Sequence, residues 1–246
     1  MCQSQPCAGS TQSAQGGRPA LELADIVGEF RPAYEQQRIL TRAAREVLPG
    51  HIVNLGIGLP TGLFPYLGSD VLVHSENGVL GCSPRGDGEP PDYDLIDSGG
   101  AYIGTVPGAS FFDSSVSFAM IRRSRVDITF MGAFEVDEQG NLANWKIPGK
   151  FSPGIGGAME LAQKVPRLVI LCSHNDKHGN PKILQRCRLP LTAPRCVSRI
   201  ITDKAVMDVT ADGLALVDIA EGLSVDELRE ATEATLIIDE TRLGRF

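Results

Sequence analysis

A single carboxylate in a glycine-flanked turn is the residue best placed to do chemistry in this sequence. Glu76 lies in the segment SENGVLG, directly after the apolar run 71–73, which predicts a strand that ends at this turn. Ligands of open α/β sheets bind at the carboxyl ends of strands, so this position favours a reactive carboxylate. A glutamate in a turn can instead accept hydrogen bonds from turn amides and serve structure only. The spacing leaves both interpretations open.

A glycine-rich stretch, NLGIGLPTG, includes the end of another apolar run, over 52–55. Gly56 and Gly58 permit close approach of the backbone to a bulky ligand. A strand, a GxG turn and an acidic residue roughly twenty positions later also outline a dinucleotide-binding unit, with Glu76 on the ribose. Here the spacing is GxGxxxG, and Pro65 falls where the crossover helix should run. The pattern therefore disfavours a nicotinamide-dependent oxidoreductase without excluding it.

A second glycine-rich stretch, KFSPGIGGAMEL, places Gly156 and Gly157 immediately before a predicted helix. Backbone N–H groups at such a position lack partners in the helix and can face an anion or a developing oxyanion. The same glycines would also suit a sharp loop. The segment alone does not distinguish the two.

One short segment contains several residue types that bind metals, namely Cys172, His174, Asp176 and His178. Asparagines and a glycine between and after them indicate a loop, so the regular geometry of ligands on a helix is not assured. We therefore expect a solvated loop and no bound metal.

Alternating hydrophobic patterns predict the elements that must position these residues. Helices are expected over 34–48, from Ser114, over 158–165 and after the capping box at Ser224. Apolar runs predict strands at 126–136, 167–172 and 235–239, and Phe111 and Phe112 are expected in the core. Strands that alternate with helices indicate an α/β fold with a layered, open and largely parallel sheet flanked by helices.

Composition excludes several classes of function. The chain has 246 residues and a formal net charge of −7, so no broad basic surface is available for nucleic acid. No apolar run approaches the roughly 20 residues of a membrane span, and no secretory signal is recognisable, so we expect a cytoplasmic protein. The Gln-, Ser- and Gly-rich residues 1–33 predict a disordered tail, followed by one domain over 34–246. The six cysteines form no CxxC pair and are expected as reduced thiols.

Seven motifs in order carry a family resemblance, namely VNLGIGLPT, HSENGVLG, DLIDSGG, VPGASFFDSSVSFAMIR, LANWKIPGK, PGIGGAMEL and LPLTA. Together they closely resemble the beta (B) subunit of the 3-oxoacid CoA-transferases, from about Gln37 to the last predicted strand. The resemblance implies the CoA-transferase fold and an enzyme that moves coenzyme A between carboxylic acids.

The resemblance also implies roles for single residues. Glu76 would attack the acyl-CoA thioester and then carry CoA as a glutamyl-CoA thioester. The N–H of Gly157 would stabilise the negative oxygen of each tetrahedral state. Asn54 matches a position near the CoA moiety, and we group with it as CoA-binding residues the glycines Gly56, Gly58 and Gly156. CoA is then a substrate, and no permanently bound cofactor is expected.

Substrate and partner follow from the same resemblance. VPGASFF and NWKIPGK are closer to members that handle acetoacetate than to the 3-oxoadipate branch, which stays the alternative. The expected donors are succinyl-CoA or acetyl-CoA. His74, Asp97 and Ser173 depart from the usual Gln, Asn and Glu, and the first two could alter which acid is accepted. The family also needs an alpha (A) subunit, so an A2B2 heterotetramer is expected. A non-enzymatic ligand sensor is a further hypothesis, although no basic helix-turn-helix segment supports it.

Overall fold

The computed structural model describes residues 33–86, 88–150, 152 and 154–246. Apart from Ala33, the tail expected over residues 1–33 lies outside the described residues. The single domain over 34–246 stays a prediction. Each helix within the described ranges is too short or too polar to cross a membrane. The expected cytoplasmic location also stays a prediction.

The described residues form fourteen strands and four α-helices. The strands are β1 (Ile52–Leu55), β2 (Leu72–Ser75), β3 (Val79–Ser83), β4 (Gly104–Phe111), β5 (Ile128–Met131), β6 (Glu135–Asp137), β7 (Leu142–Ala143), β8 (Arg167–Leu171), β9 (Ile183–Leu184), β10 (Arg199–Ile201), β11 (Ala205–Thr210), β12 (Gly213–Ile219), β13 (Leu236–Ile237) and β14 (Gly244–Arg245). The helices are α1 (Tyr34–Ala44), α2 (Ser114–Arg122), α3 (Ala158–Lys164) and α4 (Val225–Ala231), and a 3₁₀ helix spans Leu59–Tyr66.

One 11-stranded sheet organises these elements. At its centre β10, β8, β5, β1 and β2 are neighbours in that order and all run parallel. Antiparallel strands β3 and β4 extend the β2 side, and β11 and β12 extend the β10 side. A separate three-stranded sheet pairs β7, β6 and β9. The predicted layered and largely parallel α/β fold is confirmed.

The central strands are mostly apolar, with a few buried polar residues, because both faces of the sheet are covered. On one face, Leu40 of α1 packs in a core with Val53 and Phe130, and all three are fully buried. On the other face, Ile121 of α2 shares a second core with Ile170 and with residues of α3 and α4. The sheet therefore holds its parallel strands rigidly, with their carboxyl ends aligned along one edge.

Local sequence patterns predicted the positions of the helices more accurately than those of the strands. The capping box at Ser224 is confirmed, since its side chain and that of Glu227 each accept a hydrogen bond from the other residue's backbone N–H. α1 ends at Ala44 rather than at residue 48. The cap of α2 is Asp113, whose Oδ1 accepts from the Ser115 N–H at 2.8 Å.

One strand prediction and one burial prediction were wrong. The strand expected over 126–136 divides into β5 and β6 around Gly132, and β6 joins the small sheet. The segment with Phe111 is the edge strand β4, and that side chain is 63% exposed instead of lying in the core. In both cases the deciding interaction is pairing with a strand distant in sequence, which local hydrophobicity does not encode.

A buried charge cluster fastens α1 to the amino ends of the central strands. The Glu46 side chain is 4% exposed, and its Oε1 accepts from Arg42 at 2.6 Å and from Arg199 at 2.7 Å. Arg167, the first residue of β8, binds the second carboxylate oxygen. One carboxylate therefore bridges guanidinium groups from α1, β8 and β10, and two further carboxylates pair with Arg42 and Arg199.

Replacement of Glu46 by alanine should destabilise the fold strongly. Breaking a buried pair leaves uncompensated charge, which typically costs about 3–5 kcal/mol. Urea unfolding measures the loss. Glu233→Ala is the matched control, because its partner Arg188 is 66% exposed and such pairs contribute at most about 1 kcal/mol. Equal losses in the two variants would contradict a structural role for the cluster.

Candidate active site

The turn that contains Glu76 connects β2 to β3. Ser75 pairs with Val79, and the turn closes with a hydrogen bond from the Gly78 N–H to the Ser75 carbonyl at 3.0 Å. Gly78 has φ +127°, and a Cβ atom there would lie 2.0 Å from the Phe112 carbonyl oxygen. Only glycine fits this position. The backbone on the C-terminal side of Glu76 is therefore fixed by steric necessity.

The Glu76 side chain lies directly against Gly157. A Cβ atom placed on Gly157 would be 3.1 Å from Glu76 Cγ and 3.1 Å from Phe118 Cζ. Glu76 itself is half-buried. The structure thus brings together the two residues to which the sequence assigned catalytic roles, although they are far apart in the chain.

An ion pair between helices α2 and α3 stabilises the contact between Glu76 and Gly157. The Arg122 guanidinium of α2 makes two hydrogen bonds to the Glu160 carboxylate of α3, at 3.0 and 2.9 Å. The same guanidinium stacks on the Phe118 ring, 5.8 Å from its centroid. Because Gly157 immediately precedes α3, these contacts hold it beside Phe118 and Glu76.

A second loop is fastened to the Glu76 turn. The Ser98 N–H donates to Ser75 Oγ at 3.0 Å, and Asn77 Nδ2 donates to the Ile96 carbonyl at 2.8 Å. Asp97 stabilises this loop internally by accepting from two of its amides. One oxygen of the Asp97 carboxylate is therefore bound within its own loop.

Cys82, whose thiol feels the charge of Glu76, is unsuited to nucleophilic chemistry. Cys82 is 4% exposed, and burial, followed by the negative charge of Asp97, raises its pKa to about 12. Such a thiol stays protonated at neutral pH, and the thiolate is the reactive form. Cys82 is therefore not a candidate nucleophile, and the role of Glu76 stays a prediction.

The four proposed CoA-binding residues fall into two groups. Gly58 and Gly156 are exposed, with φ of +88° and +55° and open space around them. Gly56 donates its N–H to the Phe130 carbonyl at 2.8 Å. β5 passes so close to Gly56 that no room is left for a side chain. Asn54 is 1% exposed and makes its hydrogen bonds inside the sheet. Contact of these residues with CoA stays a prediction.

Asn54 belongs to a buried polar chain that the sequence did not reveal. Its Oδ1 accepts from Thr129 Oγ1 at 3.0 Å, and its Nδ2 donates to the His74 carbonyl at 3.1 Å. The His74 ring in turn lies 2.8 Å from Ser117 Oγ. Burial lowers the pKa of His74 to about 4, so the ring is neutral at pH 7. Ser117 and Thr129 gave no sequence signal, because only the folded chain brings α2 to β2 and β5 to β1.

His174, in the segment considered for metal binding, makes its contacts with other side chains of the fold. Both ring nitrogens of His174 lie near hydroxyl groups, 2.9 Å from Thr202 Oγ1 and 2.8 Å from Thr232 Oγ1. Asp176 accepts hydrogen bonds from the amides of His178 and Asn180. Within the described ranges, no group of three or more His, Cys, Asp or Glu residues is arranged to hold a metal ion.

Glu76 lies outside the two best-formed cavities. One, of about 410 Å³, is lined by residues of α1 together with Glu221 and Phe246. The other, of about 480 Å³, lies beside Asp137 and Cys187. Neither includes Glu76 or Gly157 among its lining residues, and both of these residues are half-buried.

Comparison with known proteins decides the family. The sequence pattern described as Coenzyme A transferase matches residues 37–231. The beta subunit of a probable coenzyme A transferase from Bacillus subtilis (strain 168) is 46% identical over 207 residues, which cover 83% of this chain and 95% of the relative. The chain belongs to the coenzyme A transferase family.

Other members of this family agree. The B subunit of a probable succinyl-CoA:3-ketoacid coenzyme A transferase from the same Bacillus subtilis strain is 43% identical, covering 85% of this chain and 98% of the relative. The crystal structure of an acyl-CoA transferase from Escherichia coli O157:H7 has a TM-score of 0.71 at 20% identity. That match covers 88% of this coenzyme A transferase and 44% of the other chain, and it shows the shared fold.

The nicotinamide interpretation was wrong for this coenzyme A transferase. A dinucleotide site needs an α-helix whose amino end follows the GxG turn directly. Here a 3₁₀ helix spans Leu59–Tyr66, with Pro60 at its start and Pro65 inside it. The departure of the glycine spacing from GxGxxG correctly indicated this difference.

Replacement of Gly157 by alanine should lower activity with little effect on folding. Its φ of −78° suits alanine, but the added methyl group would meet Glu76 and Phe118 at 3.1 Å and displace the carboxylate. Misplacement of a reacting group by about 1 Å can cost about 100-fold in rate, so we expect a kcat loss of about 10- to 100-fold. Steady-state kinetics and urea unfolding measure the two effects.

Gly132→Ala is the control for the Gly157 variant. Its added Cβ would have no neighbour closer than the Leu171 carbonyl oxygen at 4.0 Å. Rate and stability should both stay near those of the unmodified protein. A Gly157→Ala enzyme with unchanged kcat would show that the contact with Glu76 has no catalytic consequence.

Acidification should destabilise the protein through His74 and His174. Burial lowers both pKa values to about 4 from an ordinary value of 6.5. Between these values the unfolded chain binds more protons, so stability falls as the pH drops from 6.5 to 4. The shift corresponds to about 3 kcal/mol for each ring. In urea unfolding at pH 7 and pH 4, His174→Gln should lose about 3 kcal/mol less than the unmodified protein on acidification, and identical losses would refute this assignment.

Proposed function

We propose that this chain is the catalytic beta subunit of a heteromeric CoA-transferase in which Glu76 is the covalent nucleophile. The contact between Glu76 Cγ and Gly157 carries the proposal. Support comes from its location, since Glu76 meets the residue before α3 near the carboxyl ends of parallel strands, where α/β enzymes bind ligands. The alternative of a ligand sensor gains no support from the site, because simple binding requires no such pair.

The reaction proceeds by two exchanges at carbonyl carbons. A Glu76 oxygen attacks the acyl-CoA carbonyl, the C–S bond breaks, and CoA leaves as a thiolate from the mixed anhydride. The thiolate then attacks the Glu76 carbonyl, breaks the anhydride C–O bond and releases the first acid as its carboxylate. The incoming acid reverses these steps and departs as its CoA ester. No net proton, ATP or metal is consumed.

Gly157 supplies the stabilising amide in this scheme. Each tetrahedral state carries a negative oxygen, and its formation at the Glu76 carbonyl occurs beside the Gly157 backbone. One N–H directed at such an oxygen typically contributes about 3 kcal/mol to the transition state. The missing side chain at Gly157 is what allows this approach.

The acids are proposed from relatives and from sequence. The similarity to a relative named for succinyl-CoA and 3-ketoacids supports succinyl-CoA as donor and a 3-oxo acid such as acetoacetate as acceptor. Acetyl-CoA is a second donor within the proposal, and 3-oxoadipate is the alternative acceptor. His74 is buried and does not reach a small acid directly, whereas Asp97 binds two amides of its own loop through one oxygen only.

A partner alpha subunit is proposed to cover the site, in an A2B2 assembly. Apolar side chains stand exposed on the segments around Glu76, with exposures from 41% to 71%, namely Ile57, Ile96, Phe111, Val116 and Met159. Clustered exposed apolar residues mark interaction surfaces. Covering them would also exclude water, which would otherwise hydrolyse the glutamyl-CoA thioester.

Replacement of Glu76 by alanine should abolish transfer by the assembled complex, with a residual rate below about one thousandth. The direct measurement incubates the complex with succinyl-CoA and then with borohydride, which reduces a thioester to an alcohol. Mass spectrometry of peptides should find the alcohol at residue 76 only when the alpha subunit is present. An active complex that carries an unmodified Glu76 throughout would refute the mechanism.

Glu221→Ala provides the control for removal of a carboxylate. Glu221 is exposed and lines the cavity beside α1, away from Gly157. This variant should retain full turnover and should still be labelled at Glu76. Loss of activity in both variants would point to general charge effects instead of nucleophilic catalysis.

A further inference from the structure

The polar chain beneath Glu76 connects the two halves of the candidate site. His74 lies two positions before Glu76 on β2, and it is 1% exposed. Its Nε2 is 2.8 Å from Ser117 Oγ, which is fully buried on α2. The next residue of α2 is Phe118, whose Cζ atom lies 3.1 Å from the position that a Cβ atom of Gly157 would take. A single hydrogen bond therefore joins the strand of the nucleophile to the helix that supports Gly157.

The neighbours of His74 determine which ring nitrogen carries the proton. The Asn54 amide nitrogen, a donor only, lies 3.5 Å from His74 Nδ1 and 3.1 Å from the His74 carbonyl oxygen. A hydrogen on Nε2, donated to Ser117 Oγ, is the tautomer that suits both neighbours, because the hydroxyl group can accept and the amide nitrogen can only donate. Thr129 fixes Asn54 in turn, so the tautomer is set by a chain that spans β5, β1 and β2.

We propose that His74 is a positioning residue, whose hydrogen bond to Ser117 sets the distance between the Glu76 carboxylate and the Gly157 amide. This inference rests on the proposed role of Glu76. The ring does not touch the substrate, since it is buried. It acts by preventing α2, and with it Phe118 and the start of α3, from moving relative to β2.

A buried polar chain can also serve stability alone, and the protein contains a matched example. His174 is equally buried, and both of its ring nitrogens face hydroxyl groups, those of Thr202 and Thr232. These residues belong to the part of the sheet around β10 and α4. Loss of the His174 contacts should therefore cost stability without changing the geometry at Glu76.

The experiment compares His74→Leu with His174→Leu in the complete complex, using succinyl-CoA and acetoacetate. We expect both variants to shift the urea midpoint similarly. His74→Leu should lower kcat by about 10- to 100-fold, as for a misplaced reacting group, with KM changed less than about threefold. His174→Leu should leave kcat within about twofold. Equal kcat effects in the two variants would overturn the proposal.

Milder variants keep the test decisive if leucine prevents folding. His74→Gln retains an amide donor and an acceptor at similar reach and should keep most of the rate. Ser117→Ala removes only one hydroxyl group and should lower kcat by about 10-fold. Because His74 and Ser117 act through one bond, the double variant His74→Leu/Ser117→Ala should lose no more than His74→Leu alone. Fully additive losses would contradict the coupling.

Failure of this inference is distinguishable from failure of the proposed function. If Glu76→Ala abolishes turnover while Ser117→Ala and His74→Leu retain the full rate, Glu76 is the nucleophile and His74 is only structural. If Glu76→Ala retains turnover, the nucleophile assignment itself is wrong. Single-turnover labelling of Glu76 adds a direct readout, since misplacement should slow formation of the glutamyl-CoA thioester.

Discussion

The absence of a side chain at Gly157 is the steric condition on which the site depends. Glu76 and Phe118 already occupy the space beside this residue, with the closest approaches at 3.1 Å from the position of a Cβ atom. Any larger residue would separate the carboxylate from the backbone that faces it. The remaining features of the region serve this one approach. Gly78 fixes the turn, Arg122 and Glu160 hold α2 against α3, and His74 ties β2 to α2.

The charge cluster that stabilises the fold and the candidate catalytic residues lie at opposite ends of the parallel strands. The Glu46 cluster fastens α1 to the amino ends of β8 and β10, and its charges compensate one another in a buried setting. The carboxyl ends carry loops with exposed apolar residues and with glycines at positive φ, which by themselves stabilise little. This separation explains how loops with exposed side chains can still hold Glu76 against Gly157.

Sequence reasoning identified what local patterns encode. The α/β class, α4 with its capping box, and Glu76 and Gly157 as candidates were all available from periodicity, turn chemistry and the family resemblance. Three features were not. The exposure of Phe111, the division of β5 from β6, and the contacts of Ser117 and Thr129 all depend on pairing between segments distant in sequence. Asn54 shows the same limit, since its match to a CoA-binding position gave no indication that it is 1% exposed.

The exposed side chains around the site have a chemical consequence for the proposed mechanism. A carboxylate surrounded by water is a weak nucleophile, because attack requires the loss of its hydration shell. Glu76 is half-buried in this chain, and the apolar side chains of Ile57, Phe111 and Met159 around it are exposed. Docking of a partner on those side chains would remove water from Glu76 and enclose the thioester at the same moment. Glu76 would then become reactive, and its thioester would be protected from water, only in the assembled enzyme. This chain in isolation would therefore not hydrolyse acyl-CoA.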